Sequence, residues 1–482
     1  MFKELVHKAD LGNGYYLNPV LDGDYADPAV LRDGEDYYLT ASTGEYLPGL
    51  TIYHSRDLVN WELLCHPLRD FDGSVWAPDF LKYEGKYYIY FCAEGTNWVI
   101  WSEQAAQGWS RAIDLKVGHI DPGHVVDEEG NRYLFLSDNC MVPLSRDGLR
   151  VTGEPVQVLK AAQIPDEWDI EGAFPEAPNL FRKDGYYYLT YADGGTSGPA
   201  TSHMIMAARA RKLHGPWELS PYNPVVHTWN RHEKWVSKGH GHFVEDTEGK
   251  WWVIYHAYEN GYETLGRKLL LSPVEFTPDG WFRVTAPADQ AAVKPAGTVI
   301  ESGDCLSDDF SGDRIRGWRA WGEHDWSRYQ KTGAGLRISG IYETIGKGHP
   351  LTLITGDHSY EISVHLRVKN GCEAGIILQY NEEIYNAVSL REGMLRVYRL
   401  GAGLARKKVD FDECWLKMKN DEQYVSFYYS EDGIRYRKLN YVINAASQNT
   451  HAYNGFLSLR PGIFAVGGGE AEFQDFRYTG VK

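Results

Sequence analysis

Four carboxylates and one histidine stand at comparable places in five related stretches of this chain. Asp27 opens DPAVLRDGEDYY, Asp79 lies in APDFLKYEGKYY, Asp121 opens DPGHVVDEEGNRY, Glu176 opens EAPNLFRKDGYYY and His240 lies in GHGHFVEDTEGKWW. Asp27 precedes its turn glycine, Gly34, by seven residues and Asp79 precedes Gly85 by six, while Asp121, Glu176 and His240 precede Gly130, Gly185 and Gly249 by nine. A single Asp-Pro is ordinarily a turn former. Repeated across five units, the same groups converge on one centre, where carboxylates are costly to desolvate unless they are paired or used. Two chemistries follow. One is cation binding. The other is acid/base cleavage of a glycosidic bond, with an ionised carboxylate activating water and a protonated carboxyl donating to the leaving oxygen. A third carboxylate nearby raises the donor's pKa by like-charge repulsion.

The elements that must position these groups are hairpins. The turn glycines recur at intervals of 45 to 64 residues, each in an acid- or Lys-flanked turn (RDGED, YEGKY, EEGNR, KDGYY, TEGKW). That chemistry joins two adjacent strands. The runs after the turns, YYLTAS, YYIYFCA, RYLFLSD, YYYLTYAD and WWVIYHAY, are aromatic and β-branched, as packed strands require. Leu50–Leu64 and His203–Leu219 supply outer strands. The spacing is that of a four-stranded blade, and five units make a five-bladed β-propeller. Residues at one blade position then share one central channel.

The chain has 482 residues, so more than one domain is expected. Residues 1–290 read as the propeller and 300–482 as a β-sandwich accessory domain, the fold class being all-β. Ala286–Gly297 (APADQAAVKPAG) reads as a linker with few strand signals. After it, DDFSG opens a region of alternating strands, including YEISVHLRV, AGIILQY, YNAVSL, WLKMKN and AEFQDFRY. A net charge of −17 excludes a nucleic-acid or anionic-membrane partner and favours a neutral substrate. Aromatics at 14% suit the packing of sugar faces. The six cysteines have no metal-ligand spacing and read as free thiols in a reducing compartment. MFKELVHKADLGNGYY lacks the apolar core of a signal peptide, so a cytoplasmic location is expected.

Seven stretches carry a family resemblance: NPVLDGDYADPAVLRDGEDYYLTAST, LTIYHSRDLVNWEL, VWAPDF, IDPGHVVDEEGNRYL, PEAPNLFRKDGYYYLTYADGG, GHGHFVEDTEGKWWVIYHA and LGRKLLLSPVEF. In this order the chain resembles glycoside hydrolase family 43, inverting enzymes acting on xylose- and arabinose-containing saccharides. DDFSG and SFYYSEDG resemble the sandwich that follows the propeller in many members, a concanavalin-like one. The resemblance implies Asp27 as general base, Asp121 as pKa-modulating and orienting aspartate, and Glu176 as general acid, with Glu171 a competitor for the acid. It implies Trp76 in the sugar pocket, Arg267 as a ligand to sugar hydroxyls or to the acid, and His240 lining the pocket. Asp79 is expected to be structural or rim-facing. His256 matches a histidine near a central ion. No cofactor is required on this reading, and a structural Ca2+ in the propeller channel is admitted. The expected activity is exo removal of terminal xylose or arabinofuranose from neutral oligosaccharides. Endo-arabinanase and a non-catalytic carbohydrate-binding propeller are the alternatives, and a homo-oligomer is admissible.

Overall fold

A computed structural model describes residues 8–303, 305–312, 317–322, 325–333 and 335–481. Two compact units emerge, one of Lys8–Asn260 with Arg267–Ser302, the other of Gly261–Gly266 with the chain from Gly303 onward.

The first unit holds five four-stranded antiparallel blades. Their innermost strands are Ala29–Asp33, Trp76–Tyr83, Gly123–Val126, Glu176–Lys183 and Trp235–Glu245. The second strands, Asp36–Thr40, Lys86–Ala93, Arg132–Leu136, Tyr186–Asp193 and Trp251–Glu259, are the aromatic runs expected from the sequence. In the first blade, Ile52–Ser55 and Glu62–Cys65 complete the sheet; in the fourth, Met204–Ala210 and Glu218–Leu219 do, with Val226–His227 added on the third strand. These blades pack face to face because each buries apolar side chains on both surfaces. Between the first and second, for example, Ala29, Ile52, Phe80, Ile89, Phe91 and Ile100 form one cluster.

Ring closure brings distant segments of the chain together. The third strand of the last blade, Arg267–Phe276, pairs with Phe282–Val284 only along its later half. Its earlier half is covered by the segment preceding Asp27: Val20 N–H donates to the Leu269 carbonyl at 2.8 Å and Tyr25 N–H to the Arg267 carbonyl at 2.9 Å. The Asn18 side chain accepts from Leu271 N–H at 2.8 Å and donates to its carbonyl at 2.9 Å, completing the ladder where Pro19 lacks an N–H. Lys268 ties the same seam, its ammonium 2.7 Å from both Asp22 and Glu259.

The Ala286–Gly297 segment departs from the expected linker. Ala292–Val293 pairs antiparallel with Tyr15–Tyr16, Lys294 lies 2.9 Å from the Asp57 carboxylate, and Ala296 N–H donates to Asp246 at 3.2 Å. Two apolar residues are too few to raise a strand signal, and the docking rests on partners from 50 to about 280 residues away, beyond any local pattern.

In the second unit two antiparallel sheets are present. One runs Ala402–Lys408, Met394–Arg399, Tyr385–Arg391, Glu373–Gln379, Arg460–Val466, Leu351–Thr352, Arg319–Trp321. The other runs Tyr329–Thr332, Gly335–Ser339, Glu470–Gly480, Ser359–Lys369, Glu413–Asp421, Tyr424–Ser430, Arg437–Asn444. Along Ser359–Lys369 the side chains of Tyr360, Ile362, Val364, Leu366 and Val368 are buried in strict alternation, which is the period that marks a strand with one face in a core.

Candidate active site

Each innermost strand, or the turn leading into it, carries the same backbone feature, within Trp235–Glu245 at its sixth residue. Asp27, Ala77, Asp121, Ala177 and His240 all have left-handed φ, at 54°, 41°, 58°, 55° and 49°. Each is followed by proline or, after His240, glycine. In the second, fourth and fifth blades the pairing slips beside this residue, as in a β-bulge. A proline cannot donate to the ladder, so the bulge absorbs it and re-aims the neighbouring side chains toward the channel mouth. Non-glycine residues held this way cost about 1–3 kcal/mol each and persist only where the surroundings over-determine them.

This register corrects the spacing-based alignment. The equivalent positions are Asp27, Ala77, Asp121, Ala177 and His240. Glu176 lies one residue earlier, in the place that Trp76 takes in the second blade, and Asp79 lies two residues later. Counting back from the turn glycines misplaced both because the strands differ in length and carry bulges.

Around Asp27 the geometry is dense. Its Oδ1 lies 2.9 Å from Arg267 Nη1, 3.2 Å from His256 Nδ1 and 3.3 Å from His240 Nδ1. Its Oδ2 accepts from the Ser42 hydroxyl at 2.6 Å, and that hydroxyl accepts from Ala77 N–H at 2.7 Å, linking the first two blades. Asp27 N–H lies 3.1 Å from His256 Nδ1, the nitrogen that also faces the Asp27 carboxylate. His203 stacks on His256 with ring centres 5.3 Å apart, in space that exists because residue 239 is glycine: a Cβ there would lie 1.8 Å from the His203 ring. Ser42 and His203 carry no sequence signal, since each is a common residue in an ordinary strand context.

Asp121 and Glu176 form the other side. Asp121 Oδ2 accepts from Ala177 N–H at 3.0 Å and lies 3.9 Å from His240 Nδ1. One carboxylate thus fixes the backbone next to Glu176 while sharing a histidine with Asp27.

Charge separates the three carboxyls. Burial alone pushes Asp27 up, but the Arg267 guanidinium and the His240 ring hold it well below the ordinary carboxylate range. Asp121 is pushed up to about 6, by burial first, with His240 opposing and Asp27 adding. Glu176 is raised well above its ordinary value by burial, then by the charges of Asp121 and Asp27. These surroundings favour the ionised form of Asp27 and the protonated form of Glu176, the pair of states that acid/base transfer needs.

Other expected residues fall as follows. Trp76 is 47% exposed at the mouth. Glu171 stands apart from these carboxyls: its carboxylate accepts from Ser197 N–H at 2.9 Å and from the Ser197 hydroxyl at 2.7 Å, holding the Gly194–Gly198 turn. Asp79 lies further down the channel, accepting from His124 N–H at 2.7 Å and 3.4 Å from His242 Nε2, beside a cavity of about 320 Å³.

The donor atoms of Asp27, His240 and His256 lie within 4.8 Å of one another. They do not fit a directly bound Ca2+. That ion takes six to eight oxygen ligands, and here two imidazoles and one carboxylate are on offer. Arg267 already occupies the carboxylate, and the Asp27 N–H occupies His256 Nδ1.

Comparison with known proteins decides the family. The model for glycosyl hydrolases family 43 matches residues 16–282, and that for a beta xylosidase C-terminal concanavalin A-like domain matches residues 307–479. The chain belongs to glycosyl hydrolase family 43. Among curated family relatives, a xylan 1,3-beta-xylosidase of a Vibrio species is 28% identical over 310 residues, 54% of this chain and 56% of that protein. A non-reducing end alpha-L-arabinofuranosidase of Bacteroides ovatus is 31% identical over 289 residues, 56% of this chain and 53% of that protein. The chain thus spans little more than half the length of these relatives. The crystal structure of the GH43 protein BlXynB of Bacillus licheniformis superposes with a TM-score of 0.89 at 29% identity, covering 97% of this chain and all of that one. Family membership accounts for both the propeller and the concanavalin-like sandwich.

Proposed function

We propose that this chain is an exo-acting, inverting glycosidase that removes terminal xylose or arabinofuranose from neutral oligosaccharides. What supports the reading is the geometry: Asp27 lies against Arg267 and Ser42, while Asp121 binds the backbone beside Glu176, surroundings that hold the Asp27 carboxyl low and push the Glu176 carboxyl up. In this scheme Asp27, ionised and oriented by Arg267 and Ser42, takes a proton from a water that attacks the anomeric carbon. Glu176 gives its proton to the glycosidic oxygen as the bond to the leaving sugar breaks. Asp121 supplies the charge that keeps Glu176 protonated and the hydrogen bond that positions its backbone. Trp76 offers an aromatic face to the terminal sugar, and His240 sits between the two aspartates. No cofactor is required by this scheme.

Relatives named as a xylosidase and as a non-reducing-end arabinofuranosidase support the substrate class and the exo mode. Six free cysteines, four of them buried, support a cytoplasmic location. Among the described residues no helix is long and apolar enough to cross a membrane.

The test is hydrolysis of aryl β-xyloside, aryl α-arabinofuranoside and xylobiose, followed by proton NMR of the first-formed sugar. Release of the anomer opposite to the substrate supports inversion. Retention of configuration would sink the roles given to Asp27 and Glu176, and no turnover of any pentoside would sink the activity.

A further inference from the structure

The loops on either side of the fourth blade carry an aromatic group that the catalytic scheme leaves unused. Trp229 is 66% exposed and Phe174 48% exposed, so both rings present apolar faces to solvent. Trp168 stacks on His227 with ring centres 4.7 Å apart and 9° between planes, and Trp229 stands edge-on to both, 5.6 Å from Trp168 and 4.7 Å from His227. Trp229 is not on a loose tip. Its backbone N–H donates to Glu233 at 2.7 Å, and the other oxygen of that carboxylate lies 2.7 Å from the Lys238 ammonium.

Pairing places this group on the mouth side. Glu176 pairs with Ala192, Asp193 with Met204, and Met204 with His227, so the strand ends stand in a row. Three strand spacings separate Glu176 from His227, roughly 14 Å at the usual distance between paired strands. Phe174 lies between, two residues before Glu176, with its N–H donating to Asp193 at 2.8 Å. A general acid protonates the oxygen of the departing group, so the leaving part of the substrate extends on the acid's side. The aromatic faces therefore lie where a leaving oligosaccharide passes, more than one sugar ring from the scissile bond.

We propose that Phe174 and Trp229, the latter braced by the Trp168–His227 stack, form a leaving-side track that binds the more distant rings of a pento-oligosaccharide. This rests on the reading of Glu176 as the acid. The track makes chain length a determinant of efficiency: Trp229 contributes to tetrasaccharides and not to disaccharides or aryl pentosides.

Trp229→Ala and Trp229→Phe, each in the full chain, are compared with the parent protein. Affinity for xylotetraose and arabinotetraose is measured by calorimetry in a Glu176→Gln background, and kcat/KM is measured for xylobiose, xylotetraose, arabinobiose and arabinotetraose in the active background. The expected result is a loss of roughly threefold to tenfold in tetrasaccharide affinity and kcat/KM for Trp229→Ala, the size of one aromatic contact. Disaccharides are unaffected and Trp229→Phe largely restores the parent values. Whichever tetrasaccharide responds identifies the sugar. Equal losses on disaccharides and tetrasaccharides, or unchanged tetrasaccharide affinity, overturns the track. Absence of any turnover by the parent protein refutes the catalytic reading instead, and the binding arm still decides the track.

Discussion

The starts of the first and fourth blades share a backbone and differ in everything around it. At the first, Asp27 sits in left-handed conformation with a guanidinium at 2.9 Å, two imidazoles and a serine hydroxyl. At the fourth, Ala177 takes the same conformation and the carboxyl belongs to the residue before it. There the neighbours that matter are the carboxylates of Asp121 and Asp27, with Arg267 opposing them more weakly. Repetition of a fold decides where a group stands. Its neighbours decide whether it holds a proton.

The comparison is broken most severely by removing the cation. Arg267→Ala leaves Asp27 buried without its main counter-charge. Loss of one partner of a buried pair costs about 3–5 kcal/mol, so a large drop in Tm is expected. Turnover should fall with it, and the acidic limb of kcat/KM should move to higher pH as the Asp27 pKa rises. An unchanged acidic limb would remove Asp27 as the base.

Glu176→Gln strikes the other side. Loss of a general acid costs about 10²–10⁴ in rate, and the loss should be greatest on xylobiose and smaller on nitrophenyl pentosides, whose leaving oxygen needs little protonation. Near-normal turnover of xylobiose would transfer the role to Glu171, despite its hydrogen bonds to Ser197.

Asp121→Asn sharpens the comparison by removing one like charge. Glu176 then loses its proton more easily, so the alkaline limb of kcat/KM moves to lower pH. A second sign is thermodynamic. Asp121 is raised from 3.8 to about 6 in the folded protein, so its contribution to stability is present below 3.8 and is lost as pH rises through about 6. Tm measured from pH 4 to 7 should fall more steeply in the parent protein than in Asp121→Asn, where only the raised Glu176 still contributes a loss.

The smallest effect expected is that of a chelator. Since the Asp27, His240 and His256 set does not suit a directly bound Ca2+, EDTA should leave both turnover and Tm unchanged. A drop restored by added Ca2+ would instead support an ion held in the channel through water beside His256.

Much of the fold was legible in the primary structure because strands and hairpins are local. Turn glycines, aromatic runs and period-two alternation count the blades and reveal the sandwich without any long-range information. The identities of Asp27, Asp121 and Glu176 came through family resemblance. Only the tertiary structure supplied the register that separates Glu176 and Asp79 from the other blade starts, because bulges break the count from the turns. It also supplied the meeting of Asp27 with Arg267 at the closing seam and the docking of Ala292–Val293 on Tyr15–Tyr16, contacts between segments far apart in the chain. Protonation followed the same rule: desolvation and neighbouring charge act through space, so a carboxyl's pKa is a property of the assembled ring and not of the residue.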